Sequence, residues 1–192
     1  MPTLKTLLAQ VRACQLCAAH LPLAPKPILQ AGRQARILIV GQAPGRRAHD
    51  AGKPFADISG ERLRQWLDVE EQRFYDATQF AILPMGFCFP GTGRQGDLPP
   101  RPECAPAWRQ ALMAKLPNIE LTLVIGRYAQ AHYFGGKDSV TDTVRRWREY
   151  LPELLPLPHP SPRNQRWLKQ NPWFDAELLP YLRQRVAAIG EK

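Results

Sequence analysis

The sequence predicts an α/β fold, a three-layer α/β/α domain with a central four-stranded parallel sheet. Three observations predict it. Four short, largely apolar runs recur along the 192 residues: Ile37–Val40 in a strand at about 36–40, the first half of Phe80–Phe89, Leu121–Ile125 and Leu154–Leu157. Uninterrupted apolar runs of this length are typical of strands buried on both faces. Stretches with helical periodicity separate them, the order of a parallel sheet with helices on both sides. The first and third runs end in Gly41 and Gly126. The chain therefore turns sharply at the carboxyl ends of strands, where open α/β sheets bind ligands.

In chain order, residues 3–13 form a short helix with Leu4, Leu7, Leu8 and Val11 on one side. Residues 18–34 hold several Pro and Gly and read as a wrapping loop. The first strand leads into the turn Gly41–Phe55, GQAPGRRAHDAGKPF. Ser59 reads as the N-cap of a helix near 60–68 that carries Leu63, Trp66 and Leu67 inward. In the second strand, Pro84 cannot donate a ladder hydrogen bond and belongs at the strand's end. Residues 90–102, PGTGRQGDLPPRP, form a long loop of the kind that is usually functional or mobile. Cys104 opens a helix with Trp108, Leu112 and Leu116 inward. After the third strand come helices near 127–134 and 140–151. The latter turns Val140, Val144, Trp147 and Leu151 inward and Arg145, Arg146 and Arg148 outward. The fourth strand runs into His159-Pro160-Ser161-Pro162. Two more helices fill 164–187, the second beginning at Asn171-Pro172. Parallel order brings the Gly41 turn, the Cys88 loop and the His159 loop to one edge of the sheet.

The length suits one domain, residues 1–192, with no internal repeat. No apolar run is long enough to cross a membrane and the N-terminus does not resemble a signal peptide, so a cytoplasmic protein is expected. Against 17 Asp+Glu stand 26 Lys+Arg, a formal charge of +9 dominated by arginine. That excess suits a polyanionic partner, since phosphate contacts supply much of the affinity for DNA or RNA.

The four cysteines follow C-x2-C (Cys14, Cys17), then Cys88 after 70 residues and Cys104 after 15 more. A cytoplasmic setting argues against two disulfides. Four thiolates suit zinc or an iron–sulfur cluster, and spacing does not choose between them.

Three motifs in order resemble the uracil-DNA glycosylase superfamily. Gly41-Gln42-Ala43-Pro44-Gly45 with Gly52-Lys53-Pro54-Phe55 resembles the first motif of its iron–sulfur-containing bacterial and archaeal branch. His159-Pro160-Ser161-Pro162 resembles the second motif. The cysteine spacing resembles the [4Fe–4S] ligands of that branch. The resemblance implies a uracil-DNA glycosylase-like fold and a structural [4Fe–4S] cluster on Cys14, Cys17, Cys88 and Cys104, with zinc the lesser alternative. It also implies a monomeric, monofunctional DNA glycosylase of base excision repair, acting on DNA that contains a deaminated base. Such an enzyme flips its base into a pocket. By resemblance, backbone N–H groups of Gln42 and Ala43 hold the base carbonyls, Phe55 stacks on the base, and His159 donates to a base oxygen as charge develops. Ser161, Arg163, Asn164 and Arg166 lie where the family enters the minor groove and grips phosphates.

The sequence departs from the family in two places. Gln42-Ala43 stands where classical members carry a water-activating aspartate. Asp57-Ile58-Ser59-Gly60 resembles a catalytic D-x-S-G stretch of another branch, so Asp57 is the carboxylate expected to orient water or stabilise the sugar cation, with His49 and Asp50 behind it. The family's base-reading asparagine falls at or beside Pro84, which leaves hypoxanthine and xanthine open alongside uracil. No basic insertion of the K-R-R-I-H kind, used for covalent bonding to DNA, is present. Two other classes fit parts of the pattern: a non-catalytic nucleic-acid-binding protein on the same fold, and an iron–sulfur electron-transfer protein, which leaves the His159 motif unexplained.

Overall fold

The computed structural model describes residues 2–191. Along the chain it places α1 (Leu4–Arg12), β1 (Ile37–Val40), α2 (Arg46–Ala51), α3 (Ile58–Leu67), α4 (Glu71–Phe74) and β2 (Phe80–Ile82). A small hairpin of β3 (Thr92–Gly93) and β4 (Gly96–Asp97) follows, then α5 (Cys104–Met113), β5 (Leu121–Ile125), α6 (Gly126–Phe134) and α7 (Val140–Arg145). The chain closes with β6 (Leu154–Leu157), α8 (Gln165–Gln170) and α9 (Leu179–Gly190).

The four expected strands form one parallel sheet in the order β2-β1-β5-β6. β1 and β5 are buried along their whole length. Alternate residues feed opposite layers, as the period of a strand requires. Ile37, Ile39, Leu121, Leu123, Leu155 and Leu157 face a cluster with Leu63 and Trp66 of α3 and Leu182 and Val186 of α9. Leu38, Val40 and Val124 face a second cluster with Leu7 and Val11 of α1, Leu112 of α5 and Ala129 of α6. Each fully buried aliphatic side chain of this kind contributes about 1.5–3 kcal/mol by leaving water. The three-layer α/β/α reading therefore holds.

Several local readings change. The Gly41–Phe55 stretch is not all turn. It contains α2, six residues with only Ala48 buried, too short and too polar to show a helical period. The N-cap of α3 is Asp57, not Ser59: its carboxylate accepts from Gly60 N at 2.8 Å. The loop 90–102 contains the β3–β4 hairpin. Leu116 is buried but lies beyond the end of α5. The helix expected over 140–151 breaks into α7 and a 3-10 segment, Trp147–Tyr150, although Val144 and Trp147 are buried as expected. After α8 the chain passes through a π-helical stretch, Phe174–Leu178, directly into α9. Asn171 caps the end of α8, and its carbonyl accepts from Phe174 N at 3.0 Å.

Pro84 lies just beyond β2, as its missing donor demands. The carbonyls left at this end are met by a buried cation. Arg109 of α5 donates to Leu83 O at 3.1 Å and Pro84 O at 3.4 Å, and to Tyr133 Oη at 3.1 Å. Among the described residues, no helix is long and apolar enough to cross a membrane.

Candidate active site

The loops after β1, β2 and β6 open onto one pocket at the carboxyl edge of the sheet. Its wall is built from Gly41–Gly45 after β1, Pro84 after β2, and His159, Ser161, Arg163 and Asn164 after β6. Phe55, Asp57 and Ser59 complete it from below, and Gln95–Asp97 of the hairpin close it on another side. The cavity volume is about 510 Å³, within the range of small-ligand sites. Backbone contacts set the turn at its centre: Gly41 O accepts from Met85 N at 2.8 Å and Gln42 O from Gly86 N at 2.9 Å. The first motif is thereby tied to the segment carrying Pro84.

Phe55 is held in a left-handed backbone conformation, φ 55°, an outlier for a bulky residue and a kind of strain that collects at functional sites. Its ring meets Phe74 edge-on at 6.2 Å between centroids, and Tyr75 Oη donates to Pro54 O at 2.8 Å. A Cβ built at Gly41 would lie 3.6 Å from Phe55 Cζ, so the ring reaches under the first motif. Beneath it, Gly60 comes so close that a Cβ there would lie 1.8 Å from Phe55 O and 2.8 Å from Phe55 Cβ. The glycine of Asp57-Ile58-Ser59-Gly60 is thus a steric requirement of the Phe55 conformation.

His159 follows β6 at Leu157, whose carbonyl accepts from the buried Gln130 at 2.9 Å. Its own carbonyl accepts from Asn164 Nδ2 at 2.7 Å. Ser161 O accepts from Arg62 at 3.0 Å, and Ser161 Oγ caps the following turn through Arg163 N. Burial pushes the imidazole below its ordinary pKa, and the charges of Asp57 and Asp97 oppose that shift.

Most of the expected residues meet here. Gln42, Ala43, Phe55, Asp57, His159, Ser161, Arg163 and Asn164 all line the pocket. Arg166 does not; it is exposed on α8. His49 and Asp50 also lie outside the lining: the His49 ring stands 6.1 Å from Phe89, and Asp50 pairs with Arg46 at 2.9 Å. Two side chains are engaged in ways the sequence did not suggest. Gln42 Nε2 donates to Asp97 O and Leu98 O at 3.2 and 2.7 Å, and Arg163 donates to Gln95 O at 3.2 Å. Both pin the hairpin across the pocket. Asp97 itself was not anticipated, because its place depends on this hairpin rather than on any local pattern.

The four cysteines, all free, line a second pocket on the far side of the β2 loop, with Val11, Pro25, Phe87 and Trp108. Trp108 Nε1 donates to Cys14 Sγ and Phe87 N to Cys104 Sγ, each at 3.4 Å. Burial pushes the Cys88 thiol up to about 11 and the Cys104 thiol up to about 12. Burial also raises Cys17, together with the charge of Glu103. Among the described residues no three His, Cys, Asp or Glu side chains are grouped tightly enough to hold a metal ion. The donor set, four thiols from three chain segments around one pocket, is chemically that of a soft-metal or iron–sulfur site.

The sequence profile of the uracil DNA glycosylase superfamily matches residues 29–183. The chain belongs to that superfamily. It is 23% identical over 170 residues to the type-4 uracil-DNA glycosylase of Saccharolobus solfataricus, covering 84% of this chain and 77% of that one. It is 26% identical over 157 residues to the type-4 uracil-DNA glycosylase of Thermotoga maritima, covering 79% and 78%. A solution structure from Methanosarcina acetivorans aligns with 83% of this chain and 98% of its own, at 14% identity and a TM-score of 0.48.

Gly60→Ala tests the packing under Phe55. The added methyl forces the Phe55 backbone to move, with an expected loss of about 1–3 kcal/mol in stability. Denaturant unfolding measures it, and an unchanged midpoint would show that the close approach is not required.

Proposed function

We propose that this protein is a monofunctional DNA glycosylase. It hydrolyses the bond between C1′ and the base nitrogen of a flipped-out uracil or related deaminated base in DNA. The observation that carries this reading is the meeting of His159, Asp57 and Phe55 in one pocket of a chain belonging to the superfamily. The fold class, the net charge of +9 and the pocket's size support it. Two core layers that share one sheet support a single domain, and a monomer is what the resemblance implies.

In this mechanism the base stacks on Phe55, while backbone N–H groups of Gln42 and Ala43 approach its carbonyls. The C1′–N electron pair leaves with the base. A neutral His159 donates a hydrogen bond to the base oxygen on which that charge collects, a stabilisation aimed at the transition state. Water then adds to the cationic C1′, with its hydroxyl going to the sugar and its proton to solvent. Asp57 orients that water or stabilises the cation. Its Oδ1 is held by Gly60 N, which fixes the side chain and leaves Oδ2 toward the pocket. Ser161 and Asn164 shape the His159 loop, and Arg163 and the exposed Arg166 face the DNA backbone.

Cys14, Cys17, Cys88 and Cys104 would hold a [4Fe–4S] cluster. When bound, it supplies structural cross-linking rather than reaction chemistry. Trp108 Nε1 and Phe87 N, which donate toward Cys14 and Cys104, are the kind of N–H groups that hydrogen-bond cluster sulfurs.

Oligonucleotides holding one uracil, hypoxanthine or xanthine, in single- and double-stranded form, test the activity. Abasic sites are expected without added metal ion. Asp57→Asn and His159→Ala should each lower the rate by about 10²-fold or more. Tight, salt-sensitive DNA binding with no cleavage, unaffected by either substitution, would favour the non-catalytic alternative.

The pH profile tests the state of His159. A folded pKa below the ordinary 6.5 keeps the imidazole neutral from about pH 6.5 upward. The acid limb of kcat/KM should therefore lie below about pH 6.5. A limb rising through pH 7 or above would contradict a neutral donor.

Cys104→Ala tests the structural role of the thiol site. Folded yield and bound iron should fall sharply, while turnover per folded molecule changes little. Normal stability of the iron-free variant would remove the cluster from the account.

A further inference from the structure

The end of β2, where the resemblance places a base-reading asparagine, offers no side chain that can hydrogen-bond the edge of a base. The end of β2 contributes only Ile82 and Pro84 to the lining. Of the other polar side chains, Gln42 and Arg163 are engaged with the hairpin, Asn164 with the His159 carbonyl, and one oxygen of Asp57 with the start of α3, while Ser59 and Gln95 also reach the lining.

Asp97 differs from these. It is the last residue of β4, and the hairpin carries it into the pocket wall. Thr92 Oγ1 donates to its Oδ1 at 3.1 Å, which fixes the carboxylate across the hairpin. Its Oδ2 points to the first motif and would lie 3.1 Å from a Cβ at Gly45. That same Cβ at Gly45 would lie 3.9 Å from Asp57 Oδ2. The missing side chain of Gly45 leaves the space that the Asp97 carboxylate enters. Gln42 holds the Asp97 carbonyl, and Arg163 holds Gln95 two residues before it. The hairpin backbone that carries the carboxylate is therefore anchored from both walls of the pocket, Thr92 holds one carboxylate oxygen, and the other lies toward Gly45.

An ionised carboxylate only accepts hydrogen bonds. Uracil presents an imino N–H at N3, and hypoxanthine presents one at N1. We propose that Asp97 reads this imino N–H of the flipped base, taking the role that the apolar ring of Pro84 cannot fill. The inference rests on the glycosylase reading of this pocket. It makes Asp97 a specificity residue distinct from Asp57, which serves the sugar.

The test pairs each base with its N-methylated form. Oligonucleotides carry uracil or 3-methyluracil, and hypoxanthine or 1-methylhypoxanthine. Wild type, Asp97→Ala and Asp97→Asn are compared by kcat/KM and by equilibrium binding. Wild type should favour the N–H base over its methylated form. Asp97→Ala should lower kcat/KM for the N–H base by about 10-fold or more and reduce that preference. Asp97→Asn, whose amide oxygen still accepts, should retain it. Equal losses on both members of a pair, or no loss on either, would overturn the inference and leave Asp97 as hairpin structure only. So would loss of the preference in Asp97→Asn. If wild type cuts neither base, the glycosylase reading fails, and the inference is then judged on binding alone. A wild-type preference for the N–H base that disappears in Asp97→Ala would still support it, and equal binding of both bases by wild type would end it.

Discussion

β1 is hydrogen-bonded on both edges, to β2 and to β5, and covered on both faces. The first motif leaves the sheet directly from this strand, so its starting position is fixed by the strand's pairing. Its register with β5 runs from Ile37 opposite Leu121 to Val40 opposite Val124, so the turn at Gly41 and the start of α6 leave the sheet side by side. β6 pairs with β5 in turn, which brings His159 to the same edge. The pocket is thus a consequence of parallel order: three loops leave three strands in one direction, and their polar residues meet over the end of a dry sheet.

On that base the site is held by short-range constraints. Gly60 admits the Phe55 backbone, and Phe55 in turn reaches under Gly41. Asp57 caps α3 with one oxygen and keeps the other toward Gly45. The hairpin bridges the two walls through Gln42 and Arg163. The contacts of Phe55 with Gly41, Gln42 with Leu98 and Arg163 with Gln95 join different chain segments, so much of the geometry around a bound base is preset before any ligand arrives. Such preorganisation is what transition-state stabilisation by fixed donors requires.

The strands were legible because both-face burial writes itself as uninterrupted apolar runs. The first and second motifs were legible because glycine, proline and histidine punctuate those runs. Elements without a periodic signal were not. α2 buries only Ala48, and the break between α7 and the Trp147–Tyr150 turn leaves the buried pattern of one longer helix unchanged. Ser59 and Asp57 are both good N-caps by type, and only the backbone decided for Asp57. Asp97 and the buried Arg109 were invisible for a different reason. Each owes its place to long-range contacts, Asp97 to a hairpin pinned by Gln42 and Arg163, and Arg109 to carbonyls that Pro84 leaves at the end of β2.

The glycosylase mechanism requires a flipped base in the pocket that Phe55 lines. The most direct measurement is a crystal structure of the protein with duplex DNA carrying a non-cleavable analogue of the deaminated nucleotide. The account predicts the base stacked on Phe55, with His159 at a base carbonyl and Asp57 beside C1′. A base still paired in the duplex, or DNA lying against the exposed arginines 145, 146 and 148 away from the pocket, would contradict it.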